Sequence, residues 1–114
     1  MMMALTYVDI IDLMDDIGLP YVYHHFAEGH AADPPFAVFL MPSSDNFIAD
    51  NKVYTPVVEL NIEVYSDKKD PALEKRVQAV LDDHEIVWEK SEVWIESERL
   101  YEVLYSTEIH YEEV

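Results

Sequence analysis

The chain has no cysteine among its 114 residues. That excludes a disulfide scaffold, a cysteine-based zinc site and a thiol nucleophile. Glycine is almost as scarce. Gly18 and Gly29 are the only two, so no glycine-rich loop is available to cradle a phosphate, and no serine sits between the glycines that a nucleophile elbow requires. Positive charge is the third shortage. Seven Lys and Arg stand against 24 Asp and Glu, a formal net charge of −17, and the earliest cation is Lys52. Nucleic-acid binding relies on cations that displace counterions from phosphates, and attraction to anionic membranes needs the same groups. Composition therefore disfavours both partners. Such a surface keeps a protein soluble; it also suits a protein that faces DNA without adhering to it, or one that seeks a basic partner.

Long hydrophobic runs are missing as well. The longest, Phe36 to Met41, is far short of the ~20 apolar residues that span a bilayer. The opening Met1-Met2-Met3 has no positive n-region, and Asp9 and Asp12 interrupt the first apolar stretch, so a soluble protein made in a cytoplasm is expected. What is present is globular: 50% of residues are hydrophobic, at a length that suits one domain, residues 1–114.

Periodicity predicts an amphipathic helix over residues 4–17, with Ile10, Leu13, Met14 and Ile17 on its apolar face. Thr6 with Asp9 resembles a capping box, and Gly18 followed by Pro20 supplies the stop. Tyr21 to Phe26 reads as a strand, and Phe36 to Leu40 as a second, apolar on both faces. Residues 42–55 form a long polar connection carrying Phe47, Ile48 and Tyr54. In Val57 to Tyr65, Val58, Leu60, Ile62 and Val64 alternate with Glu59, Asn61 and Glu63, the pattern of a half-buried strand. Asp70 as N-cap and Pro71 at the first helical position open a second helix that ends near Asp83 or His84. Its inner face is Leu73, Val77, Val80 and Leu81, with Lys75 and Arg76 opposite. Short strands at Ile86–Glu89 and Val93–Glu96 and a longer one at Leu100–His110 complete an α+β order of roughly α-β-β-β-α-β-β-β, or a near variant if the two short strands merge into one hairpin. This predicts an antiparallel sheet with both helices on one face. The other face carries Glu59, Glu63, Glu102 and Glu108.

No constellation points to catalysis, so no enzyme activity and no cofactor are expected. His24, His25 and His30, with Asp33 nearby, are the nearest approach to a metal site. Neighbouring residues on a strand point to opposite faces, which separates His24 from His25. Asp45 and Asp50 lack the alternating ligands of a calcium loop. Asp15-Asp16 and Asp82-Asp83 are ordinary at this composition. Phe47, Ile48 and Tyr54, beside Trp88, Trp94 and eight tyrosines, point to an oligomer or partner contact.

The stretch from Ser44 to Tyr54, the strand Val57 to Tyr65, and Ser66-Asp67-Lys68-Lys69-Asp70-Pro71 together resemble small proteins of tailed phages and prophages of Gram-positive bacteria. Tyr23-His24-His25-Phe26 and the ending Glu96-Ser97-Glu98-Arg99-Leu100-Tyr101-Glu102-Val103 share the likeness, which runs from about residue 17 to residue 110. The group is that of tail-completion proteins, also called head–tail joining or tail-terminator proteins. The resemblance implies a non-enzymatic ring of copies, commonly a hexamer, that caps the tail tube where it meets the head connector and lets DNA pass. It also implies assembly in the host bacterial cytoplasm and a place in the virion at the head–tail junction. A head-closure or minor capsid role belongs to the same particle. An acidic mimic of DNA that occupies a host DNA-binding protein is the alternative of a different kind.

Overall fold

The computed structural model of the chain describes residues 4–26, 32–49 and 51–113, with backbone alone at 47–49 and 53–55. Helix α1 (Tyr7–Ile17) begins where the sequence offers a cap. The Thr6 hydroxyl accepts from the Asp9 N–H, and the Asp9 carboxylate accepts from the Thr6 N–H at 2.8 Å. The helix ends at Gly18, whose φ of 80° lies in the left-handed region that glycine enters without penalty. Helix α2 (Pro71–Asp83) starts at Asp70, whose side chain accepts from the Leu73 N–H at 3.1 Å.

Five strands form the main sheet: β1 (Tyr21–Tyr23), β2 (Phe36–Leu40), β5 (Val57–Ser66), β7 (Leu100–His110) and β6 (Trp88–Ile95), in that spatial order. Both helices lie on one face of it. Ile10, Leu13, Met14 and Ile17 of α1 and Leu73, Val77 and Leu81 of α2 share one core with Phe39, Leu60, Ile62, Val64, Val103, Tyr105 and Ile109 of the sheet. Each such buried aliphatic side chain contributes about 1.5–3 kcal/mol through removal from water. Tyr105 is fully buried, and its hydroxyl reaches Gln78 Oε1 at 3.3 Å, which satisfies the polar end.

The fold is α+β as expected, with two helices on one sheet and a strand order close to the expected one, and three details differ. The sheet is mixed, because β1 pairs parallel to β2 in the register Tyr21↔Ala37. Residues 24–35 are enough for a parallel crossover, which a tight hairpin would not need. The connection 42–55 is not plain loop. Its backbone forms a two-stranded hairpin, β3 (Phe47–Ala49) with β4 (Lys52–Thr55), and Asn51 in the turn takes φ 63°. Finally, the two short strands are one. β6 runs unbroken from Trp88 to Ile95 against β7, because an edge strand can carry the polar stretch Glu89 to Glu92 without burying it. The order is therefore α-β-β-β-β-β-α-β-β. The two-sided burial expected for β2 does occur: Val38, which faces away from the helices, is 5% exposed.

Candidate functional site: an acidic sheet face

The β5–β7 ladder fixes the face opposite the helices. Its register sets Glu59 against Glu108, Glu63 against Leu104 and Tyr65 against Glu102. Leu60, Ile62 and Val64 enter the core, so the alternation of a strand turns Glu59 and Glu63 the other way. The same logic on β7 turns Glu102 and Glu108 outward beside them. All four carboxylates named from the sequence thus share one face. The face is not uniformly acidic, however. Its β1–β2 side carries Phe36, Val38 and Leu40, and Phe36 stacks on Tyr65 at 5.0 Å.

Two carboxylate centres result. Glu63 accepts a hydrogen bond of 2.7 Å from the Tyr65 hydroxyl. Burial raises the Glu102 carboxyl, repulsion from Glu63 raises it further, and the neighbouring Tyr65 hydroxyl partly offsets both. Burial and the two neighbouring carboxylates push the Tyr65 hydroxyl up in turn, so it stays a donor at all ordinary pH. At the second centre the Glu59 carboxylate accepts from the Ser43 hydroxyl at 2.7 Å. There a groove of about 510 Å³ opens, lined by Glu59, Trp88, Glu89, Ser106, Thr107 and Glu108 with Val87. Thr107 donates its hydroxyl to the Leu60 carbonyl, and no histidine or lysine stands among the lining side chains to activate Ser106. The arrangement repels anions and attracts cations. Glu89 joins this face because the β6–β7 register sets it opposite Ser106, a pairing that the sequence pattern does not fix.

The histidines correct another expectation. β1 ends at Tyr23, and His24 takes a left-handed φ of 68°, so the rule for alternating strand residues does not apply. The Nδ1 atoms of His24 and His25 lie 2.8 Å apart. His30 lies outside the described residues, and among the described residues no three metal-binding side chains gather. Asp45 is exposed, with its N–H donated to the Val57 carbonyl; Asp50 lies outside the described residues. Phe47 and Ile48 sit on β3 and Tyr54 on β4, and their side chains lie outside the described residues. Among the described residues no helix is long and apolar enough to cross a membrane.

A second charged cluster joins α2 to β6. Glu74, 8% exposed, lies 2.8 Å from Lys69 and 3.0 Å from Lys90, and Lys69 also reaches Glu92 at 2.7 Å. Burial alone would raise the Glu74 carboxyl, but the two ammonium groups outweigh it and hold it below the usual range. This cluster is neutral as a set and ties the helix to the sheet edge.

No protein-family model matches the chain, and no curated protein matches its sequence.

Proposed function

We propose that this chain is a non-enzymatic structural subunit of a tailed bacteriophage particle, one copy of a ring, of about six copies, that completes the tail at the head–tail junction. The observation that carries the reading is the gathering of Glu59, Glu63, Glu102 and Glu108 on one sheet face. In a ring that face lines the passage, where repulsion between carboxylates and phosphates keeps DNA moving through its conduit. The sequence likeness over about residues 17–110 supplies the particle. Its partners are further copies, the tail tube and the head connector, with Phe47, Ile48 and Tyr54 at those contacts. Charged substitutions at these three positions are expected to block particle assembly while the isolated chain stays folded; normal assembly would remove them from the interface. The like charge of the copies opposes assembly, and salt screens it beyond about 8 Å at physiological strength. Rings therefore form with the tube as partner or at raised salt.

Electron microscopy of particles made without the chain tests the role. Unjoined heads and tails, or tails of abnormal length, are expected. Normal joined particles would overturn it.

A further inference from the structure

β6 is the long free edge of the sheet. It pairs with β7 over Trp88–Ile95 without a bulge or a proline, and every residue between its two ends is exposed. Among the described residues no other strand pairs with it. Such an edge offers a row of unpaired N–H and C=O groups, which proteins usually shorten, bend or cover. Inward-pointing charge is another protection, and Lys90 and Glu92 do point to the helix side. Their arrangement is also symmetric, and that symmetry has a consequence for pairing.

We propose that β6 pairs antiparallel with β6 of a second copy, centred on Ser91, to form one continuous sheet. Antiparallel partners about Ser91 have numbers that sum to twice 91. Lys90 then stands opposite Glu92 of the second copy, and Glu92 opposite its Lys90. Trp88 meets Trp94, Glu89 meets Val93, and Val87, 85% exposed, meets Ile95. No like charges face each other directly. Moving the centre by one residue sets Lys90 against Lys90 or Glu92 against Glu92, and directly opposed like charges are destabilising. The charge pattern therefore disfavours both neighbouring registers. Lys90 and Glu92 keep 36% and 39% of their side-chain surface exposed, so both remain available across the edge while held by Glu74 and Lys69.

The net charge of −17 on each copy opposes approach. That repulsion acts at long range and is screened within about 8 Å at physiological salt, whereas cross-strand pairs meet at about 5 Å. Dimerisation accordingly strengthens from low to physiological salt. The contact is two-fold and closed, unlike the head-to-tail contact that builds a ring. It belongs to the free protein and stands or falls separately from the ring reading.

The absence of cysteine makes the test clean. In Ser91→Cys the single thiol meets its own image at a Cα separation of about 4.5–5.5 Å, within disulfide range. In Glu89→Cys the two thiols are four residues apart along the strands, about 13 Å. Mild oxidation with glutathione is expected to link S91C into dimers and leave E89C as monomer. Sedimentation equilibrium is expected to show a wild-type dimer, at least a tenfold weaker one for E92K, and recovery in K90E/E92K, with circular dichroism confirming the fold of each. Equal linking of both cysteines, no linking of S91C, or a wild-type monomer at millimolar concentration would overturn the pairing. Should the charge swap unfold the chain, the cysteine pair alone decides.

Discussion

Glu59 on β5 and Glu108 on β7 stand directly opposite each other on the sheet face that carries no helix. Like charges in this position destabilise a sheet by about 0.2–1 kcal/mol, so their presence is a cost to folding that the core must offset. Glu59 is engaged by Ser43, which leaves Glu108 as the side chain to change. Glu108→Lys is expected to stabilise the chain by about 0.5–1 kcal/mol in urea melts at low salt. The gain should shrink as salt rises. A loss of stability would mean that the two carboxylates are not working against each other.

Glu102 gives the same face a pH dependence. Its folded carboxyl is raised by burial and by Glu63. A raised group favours the folded state when protonated, and that contribution is lost as pH rises through its folded value. Glu102→Gln is thus expected to be more stable than the wild type at pH 7. The difference should close as pH falls toward the range of an unperturbed glutamate, about 4.3. Chemical denaturation at several pH values measures it; a constant difference across the range would contradict the assignment.

Glu74 carries the opposite sign. Lys69 and Lys90 lower its folded value, so its contribution is present above the unfolded value and is lost as pH falls through the folded one. Glu74→Gln is expected to cost about 1–2 kcal/mol at pH 7, because both lysines are partly exposed and regain water when unpaired. Below pH 4 the cost should fade. An equal cost at pH 3 and pH 7 would show that packing, not charge, holds Glu74.

Arg76 joins the helices. Its guanidinium donates two hydrogen bonds, of 3.1 and 2.7 Å, to the Ile17 carbonyl at the end of α1. Gly18 follows in the left-handed region, and a Cβ there would approach the Arg76 guanidinium to 3.3 Å. Gly18→Ala is expected to cost about 1 kcal/mol from the backbone alone. Arg76→Met is expected to cost about 1.5–3 kcal/mol, the range for hydrogen bonds to a charged group. Thermal unfolding of the two single variants and the double variant measures both. Their effects should not add, since they act on one helix end.

These cases also show what was legible in the sequence. Both helix starts could be read, because Thr6 with Asp9 and Asp70 with Pro71 act within one turn. The acidic face could be read from the alternation in β5 and β7, a local pattern. The parallel pairing of β1 with β2 could not, since it depends on where a distant strand docks. The same holds for Arg76, whose partner Ile17 is 59 residues away. β6 reads as two strands in the sequence because polar residues such as Glu89 and Lys90 interrupt the apolar pattern that marks a strand, and an edge needs no such pattern. The left-handed turn at His24 has no sequence signal, because such a backbone is uncommon in residues with a side chain.

We propose that Glu59, Glu63, Glu102 and Glu108 line a DNA passage. The most direct test is DNA ejection from particles assembled with all four changed to lysine, beside particles carrying Lys at four exposed acidic positions elsewhere: Asp12, Asp67, Asp83 and Glu98. Particles with a basic sheet face are expected to assemble, retain DNA and eject it more slowly than the control, with the delay relieved by salt. Ejection at the control rate would contradict the account.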